Sequence, residues 1–150
     1  RFDYDYWFGT TINRFLVQSL VGYPLTVYGK GGQTRGFIHL QNTLECIELA
    51  IKNPPESGEY RVFNQLTEIF SINEIASLIS GKFGTGIQSI DNPRYEKEDH
   101  TYEVKHEALL KLGLKPILMK DKLEETYKAI EPYKNRVNKK MIVPQNHTKW

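Results

Sequence analysis

A chain of 150 residues with 39% hydrophobic and 12% aromatic content can bury one core and falls within the usual range of a single domain. Its 20 basic and 18 acidic residues leave a net charge of +2, with no extended basic stripe interleaved with aromatics. Nucleic-acid binding is therefore not expected. No apolar run approaches the roughly 18 residues that cross a bilayer, and the lone Cys46 excludes an intramolecular disulfide, so a soluble, cytoplasmic protein without membrane insertion is expected. Because "RFDYDYWFGT" starts at Arg1 and already looks structured, the chain reads as the middle of a longer polypeptide.

Taken in order, "TTINRFLVQSL" places Ile12, Phe15, Leu16 and Leu20 at helical spacing behind Thr10, which can cap the first turn. Gly22 and Pro24 stop this helix, and "LTVYG" reads as a short strand entering the glycine-rich "GKGGQTRG". "GFIHL" reads as the strand that leaves it. In "QNTLECIELAIKNPP", Asn42 and Glu45 have capping-box spacing, with Leu44, Ile47, Leu49 and Ile51 as the apolar face. Cys46 then reads as a buried small hydrophobe. "GEYRVFNQ" reads as a strand buried on both sides, through Tyr60, Val62 and Phe63. Ser71 and Glu74 repeat the capping box ahead of "SINEIASLIS", which Gly81 is expected to stop, and "GKFGTGIQSI" reads as loop then strand. "NPRYEKEDH" is polar and irregular; "EVKHEALLKLGL" and "DKLEETYKAIEPYKNRV" predict two amphipathic helices, and residues 138–150 a loose tail. The whole is one α/β unit over residues 1–150.

Two readings of "GKGGQTRG" stay open on spacing alone: a glycine-rich hairpin, or an anion site built on Arg35. The spacing is neither that of a phosphate-binding P-loop nor the dinucleotide fingerprint. Spacing favours the hairpin; Arg35 at the start of the outgoing strand, beside a backbone that admits close approach, speaks for the anion. His39, His100, His106 and His147 show no metal-ligand spacing, and no nucleophile elbow is present. In the polar loop, Arg94 and His100 are either solvated charges or further phosphate or sugar contacts.

The stretches "RFDYDYWFGTTINRF", "GYPLTVYGKGGQTRGFI", "GEYRVFNQLTEIFSINEIA" and "NPRYEKEDH" together resemble the C-terminal part of the UDP-sulfoquinovose synthases. These are sulfolipid-biosynthesis members of the extended short-chain dehydrogenase/reductases, a group that includes NAD-dependent nucleotide-sugar epimerases and dehydratases. The resemblance covers nearly the whole chain and implies an α/β, substrate-binding C-terminal portion, the N-terminal Rossmann part being absent. It further implies that the missing part holds NAD and supplies the proton relay, while these residues grip UDP-glucose or a related UDP-sugar. In such enzymes C4 of the glucose is oxidised transiently, the acidified C5 permits loss of the 6-hydroxyl, sulfite adds to the enone, and hydride returns to C4.

Residue by residue, the resemblance implies that Thr10, Thr11 and Asn13 meet the nucleotide sugar at a helix start, and that the backbone of Thr26, Val27 and Tyr28 pairs with the uracil edge. It places Arg35 and Arg94 on the diphosphate, His100 beside them and Gln33 within reach of ribose or diphosphate. It implies a homodimer for the full-length protein. The sequence has no glycine-rich NAD turn and no YxxxK pair, "YEVK" at Tyr102–Lys105 being one residue short; no catalytic, cofactor-binding or metal-binding residue is assigned, and the chain alone is expected to be inactive. A UDP-sugar 4-epimerase or dehydratase, or a non-catalytic nucleotide-sugar-binding module, are the alternatives. Without the Rossmann sheet, strands such as "YRVFN" would leave apolar surface exposed.

Overall fold

The computed structural model describes residues 2–5, 8–92 and 104–142. Helix α1 (Thr11–Leu20) begins where Thr10, in extended conformation, accepts the Asn13 amide on its hydroxyl, as the capping pattern predicts. It leads into strand β1 (Leu25–Tyr28), the glycine loop, strand β2 (Thr34–Phe37) and helix α2 (Leu40–Lys52). Strand β3 (Glu68–Ser71), helix α3 (Ile72–Phe83) and strand β4 (Ile87–Ile90) follow. Beyond the undescribed residues 93–103 come helices α4 (Glu107–Lys111) and α5 (Met119–Ile130), a 3-10 turn over Glu131–Arg136, and the short α6 (Lys139–Ile142).

The strands pair across the chain rather than along it. β1 runs parallel to β4, with Leu25 opposite Ile87 and Tyr28 opposite Ile90, while β2 runs antiparallel to β3, with Arg35 opposite Phe70. The hairpin reading of the glycine loop is thereby overturned, because the strands on either side of it do not pair with each other. Tertiary anchoring sets the loop instead: Asn73, in the first turn of α3, gives its amide to the Gly31 carbonyl at 3.0 Å and its side-chain NH2 to the Lys30 carbonyl at 2.7 Å.

The main core lies where α1, β1 and α3 meet. Phe15, Leu16, Leu25, Val27, Ile75, Ala76 and Ile79 are buried there, and Leu123 of α5 closes the cluster. The apolar spacing read on α1 fits this packing, since Phe15, Leu16 and Leu20 are buried. A second, smaller cluster joins Cys46 of α2 to Leu109 of α4 and Leu114, with Phe63 against it. Burial raises the Cys46 thiol pKa, and the neighbouring Glu45 charge adds to the effect.

Several expectations need correction. α2 is capped by His39, whose Nδ1 accepts the Gln41 amide, and not by Asn42. Asn42 is fully buried within the helix, donating to Glu45 and to the Lys115 carbonyl and accepting the Ile117 amide at 2.7 Å. Its side chain is thus a tie between distant segments, which the capping-box spacing mimics locally. α3 ends not at Gly81 but at Gly84, whose φ of 69° supplies the left-handed turn. The outgoing strand is Thr34–Phe37, earlier than "GFIHL", and β3 escaped the sequence reading. Tyr60–Phe63 does not pair as a strand; Tyr60 is 87% and Val62 75% exposed. Apolar side chains of this segment are therefore open to solvent. Lys139–Ile142 of the expected loose tail is helical, with Ile142 buried and its carbonyl held by Gln18; the remainder lies outside the described residues.

Candidate functional site

The entry to α1 is shaped by a tight turn in which Asp5 accepts the Phe8 amide on its carboxylate and the Gly9 amide on its carbonyl, both at 2.9 Å. Gly9 is required there, because a Cβ would collide with the Asp5 and Tyr4 main chain. Thr10 and Thr11 follow at the helix N-terminus, the end of a helix at which main-chain amides favour negative charge. These residues form one wall of a cavity of about 310 Å³. Tyr28 at the end of β1, Gln33 just before β2, Arg35 and Phe37 on β2, Ile72 and Asn92 complete it, together with Arg14.

Five of the residues named from the sequence, Thr10, Thr11, Tyr28, Gln33 and Arg35, thus meet around one space. Arg35 is held in place by a hydrogen bond from Nη1 to the Thr34 carbonyl at 2.8 Å. No carboxylate appears among the described residues lining the cavity, whereas two guanidinium groups do. Two guanidinium groups, two threonines, a glutamine and a tyrosine thus line one cavity, residue types that can donate hydrogen bonds to an anion.

The other named residues sit elsewhere. Asn13 turns away, its side chain donating to the Asp3 carbonyl at 3.0 Å. Val27 is a core residue, and Thr26 is 2% exposed. The Leu25 and Gly29 amides bond to the β4 side, but the Thr26 amide and carbonyl point the opposite way, to Gln18 at 3.1 Å and Arg14 at 2.9 Å. Arg94 and His100 lie outside the described residues. Arg14 was not foreseen, although a signal existed: it stands one turn after Thr11 on the same helix face, a charged residue among buried apolar ones. Asn92, Phe37 and Ile72 carried no local signal.

The glycine loop runs from strand to strand and not into a helix, so it offers no helix N-terminus to a dinucleotide pyrophosphate. Among the described residues no helix is long and apolar enough to cross a membrane.

No protein-family model matches the chain. It is 51% identical over 150 residues to the chloroplastic UDP-sulfoquinovose synthase of Spinacia oleracea, covering 96% of this chain and 31% of the relative. It is 43% identical over 161 residues to the UDP-sulfoquinovose synthase of Sulfolobus acidocaldarius, covering all of this chain and 40% of the relative. The chain thus spans about a third to two fifths of the length of these curated relatives. Among solved structures, UDP-glucuronic acid 4-epimerase from Bacillus cereus, in complex with UDP-glucuronic acid and NAD, superposes with a TM-score of 0.64 at 24% identity, over 83% of this chain and 40% of that one. The chain shares its fold with that 4-epimerase, and on the identities it belongs to the UDP-sulfoquinovose synthase family and corresponds to a C-terminal part of it.

Proposed function

We propose that these residues form the UDP-sugar-binding part of an NAD-dependent enzyme that converts UDP-glucose and sulfite to UDP-sulfoquinovose. The observation that carries this reading is the convergence of Thr10, Thr11, Tyr28, Gln33 and Arg35, each named from the sequence, on a cavity whose described lining holds two guanidinium groups and no carboxylate. Arg35 takes the diphosphate, Thr10 and Thr11 meet it from the helix N-terminus, and the end of β1 takes the nucleoside side. At about 310 Å³ the cavity suits part of a nucleotide sugar, the rest being enclosed by the remainder of the full-length protein. NAD, when bound by that remainder, supplies the oxidation at the sugar; the chain described here binds and orients the substrate.

Isothermal titration of the full-length protein with UDP-glucose tests the reading. Loss of a charge-assisted contact of about 1.5–3 kcal/mol predicts that Arg35→Ala weakens binding roughly ten- to a hundredfold, and equal affinities would sink the phosphate role. A product assay with and without sulfite separates the synthase from a 4-epimerase or dehydratase. The purified 150 residues alone are expected to turn over nothing; sulfite-dependent product from them would prove that expectation wrong.

A further inference from the structure

α1 carries a polar stripe, Thr11, Arg14 and Gln18, on a face that otherwise packs apolar side chains. Gln18 is fully buried and brackets Thr26, accepting its amide at 3.1 Å and donating to its hydroxyl at 2.8 Å. Arg14, 9% exposed, donates from Nη2 to the Thr26 carbonyl at 2.9 Å. The central carbon of the same guanidinium lies 4.1 Å from the centre of the Tyr28 ring. One cation therefore holds β1 at two points, by main chain at Thr26 and by side chain at Tyr28. On the edge of β1 away from β4, where a further strand would otherwise fix the position, two helix side chains do so. Arg14 and Tyr28 both face the cavity.

We propose that Arg14 is a positioning residue for the nucleoside side of the site, setting the edge of β1 and the Tyr28 ring against which that part of the ligand rests. The inference rests on the nucleotide-sugar reading above. Lysine cannot substitute, because only a planar guanidinium offers an in-plane donor to the carbonyl while its face lies on the ring. A residue that merely touched phosphate would alter affinity for UDP and leave uridine unaffected; a residue that places the β1 wall alters both alike.

The test measures dissociation constants of UDP and uridine for the full-length protein, uridine by displacement of UDP-glucose, with thermal melts alongside. Arg14→Lys is expected to weaken both ligands by the same factor, about tenfold, whereas Arg35→Ala weakens UDP and spares uridine. Tyr28→Leu is expected to reproduce the equal loss, and adding Arg14→Lys to it to cost less than threefold more, because the two side chains act as a unit. A loss confined to UDP, or no loss for either ligand, overturns the positioning role. Should Arg14→Lys fail to melt cooperatively, Tyr28→Leu decides alone: unchanged uridine affinity overturns the proposal. If the unsubstituted protein binds neither ligand, the nucleotide reading itself falls, and the proposal with it, before any substitution is compared.

Discussion

Gly31 adopts a φ of 70°, and a Cβ there would collide with the Asn73 side chain and with Val27 of the core. Gly32, its neighbour, has open space around it and no positive φ. The two glycines are alike in sequence and opposite in tolerance. Gly31→Ala should cost about 2 kcal/mol or more through left-handed strain and steric conflict. Gly32→Ala should stay within about 0.5 kcal/mol, both read by urea unfolding of the full-length protein. Because Gly31 accepts the Asn73 amide and lies four residues before Arg35, its substitution should also weaken UDP binding. At the same scale, Cys46 is buried with its thiol pKa raised, so its alkylation at neutral pH should wait on unfolding.

Among the elements, α3 carries its own start signal. The Ser71 hydroxyl accepts the Glu74 amide at 3.2 Å, and the Glu74 carboxylate accepts the Ser71 amide at 2.7 Å and its hydroxyl at 2.8 Å. Ser71→Ala should cost about 1 kcal/mol, and because Asn73 in the same turn anchors the glycine loop, the effect should spread to the cavity. The Ser71 amide first, and its hydroxyl second, hold the Glu74 carboxyl below its ordinary pKa. A folded-state pKa below the unfolded one contributes stability that is complete above the unfolded value and is lost as pH falls through the folded one. Replacement by Gln should therefore flatten the acid limb of the stability curve below about pH 4.3 and change its slope little at neutral pH. α2 is covered on one side only: Cys46 packs against Leu109 and Leu114, while Leu40, Leu44, Ile47 and Ile51 form an exposed apolar stripe, Ile51 to 74%.

At the level of the molecule, that stripe and the exposed Tyr60 and Val62 leave several large apolar side chains open to water, the kind of surface that other protein covers. Since the chain spans about a third to two fifths of its curated relatives, the remainder of the full-length protein is the expected cover. Hydrogen exchange should find α2 and residues 59–64 better protected in the full-length protein than in the isolated 150 residues, and light scattering should show the isolated chain associating. Equal protection in both would rule that cover out. What the sequence by itself determined were the features whose cause lies within one turn or one strand: the Thr10 and Ser71 caps, the apolar face of α1, β1, β4, and the α/β alternation. The place of Arg35 on the cavity wall was legible too, through its position beside the glycines. Only the tertiary structure decided which strands pair, why Asn42 is buried, where α3 stops, and that Arg14 and Gln18 hold the edge of β1. Those outcomes depend on groups brought together from far apart in the chain, such as Asn42 with Ile117 or Gln18 with Ile142, and no local spacing encodes them.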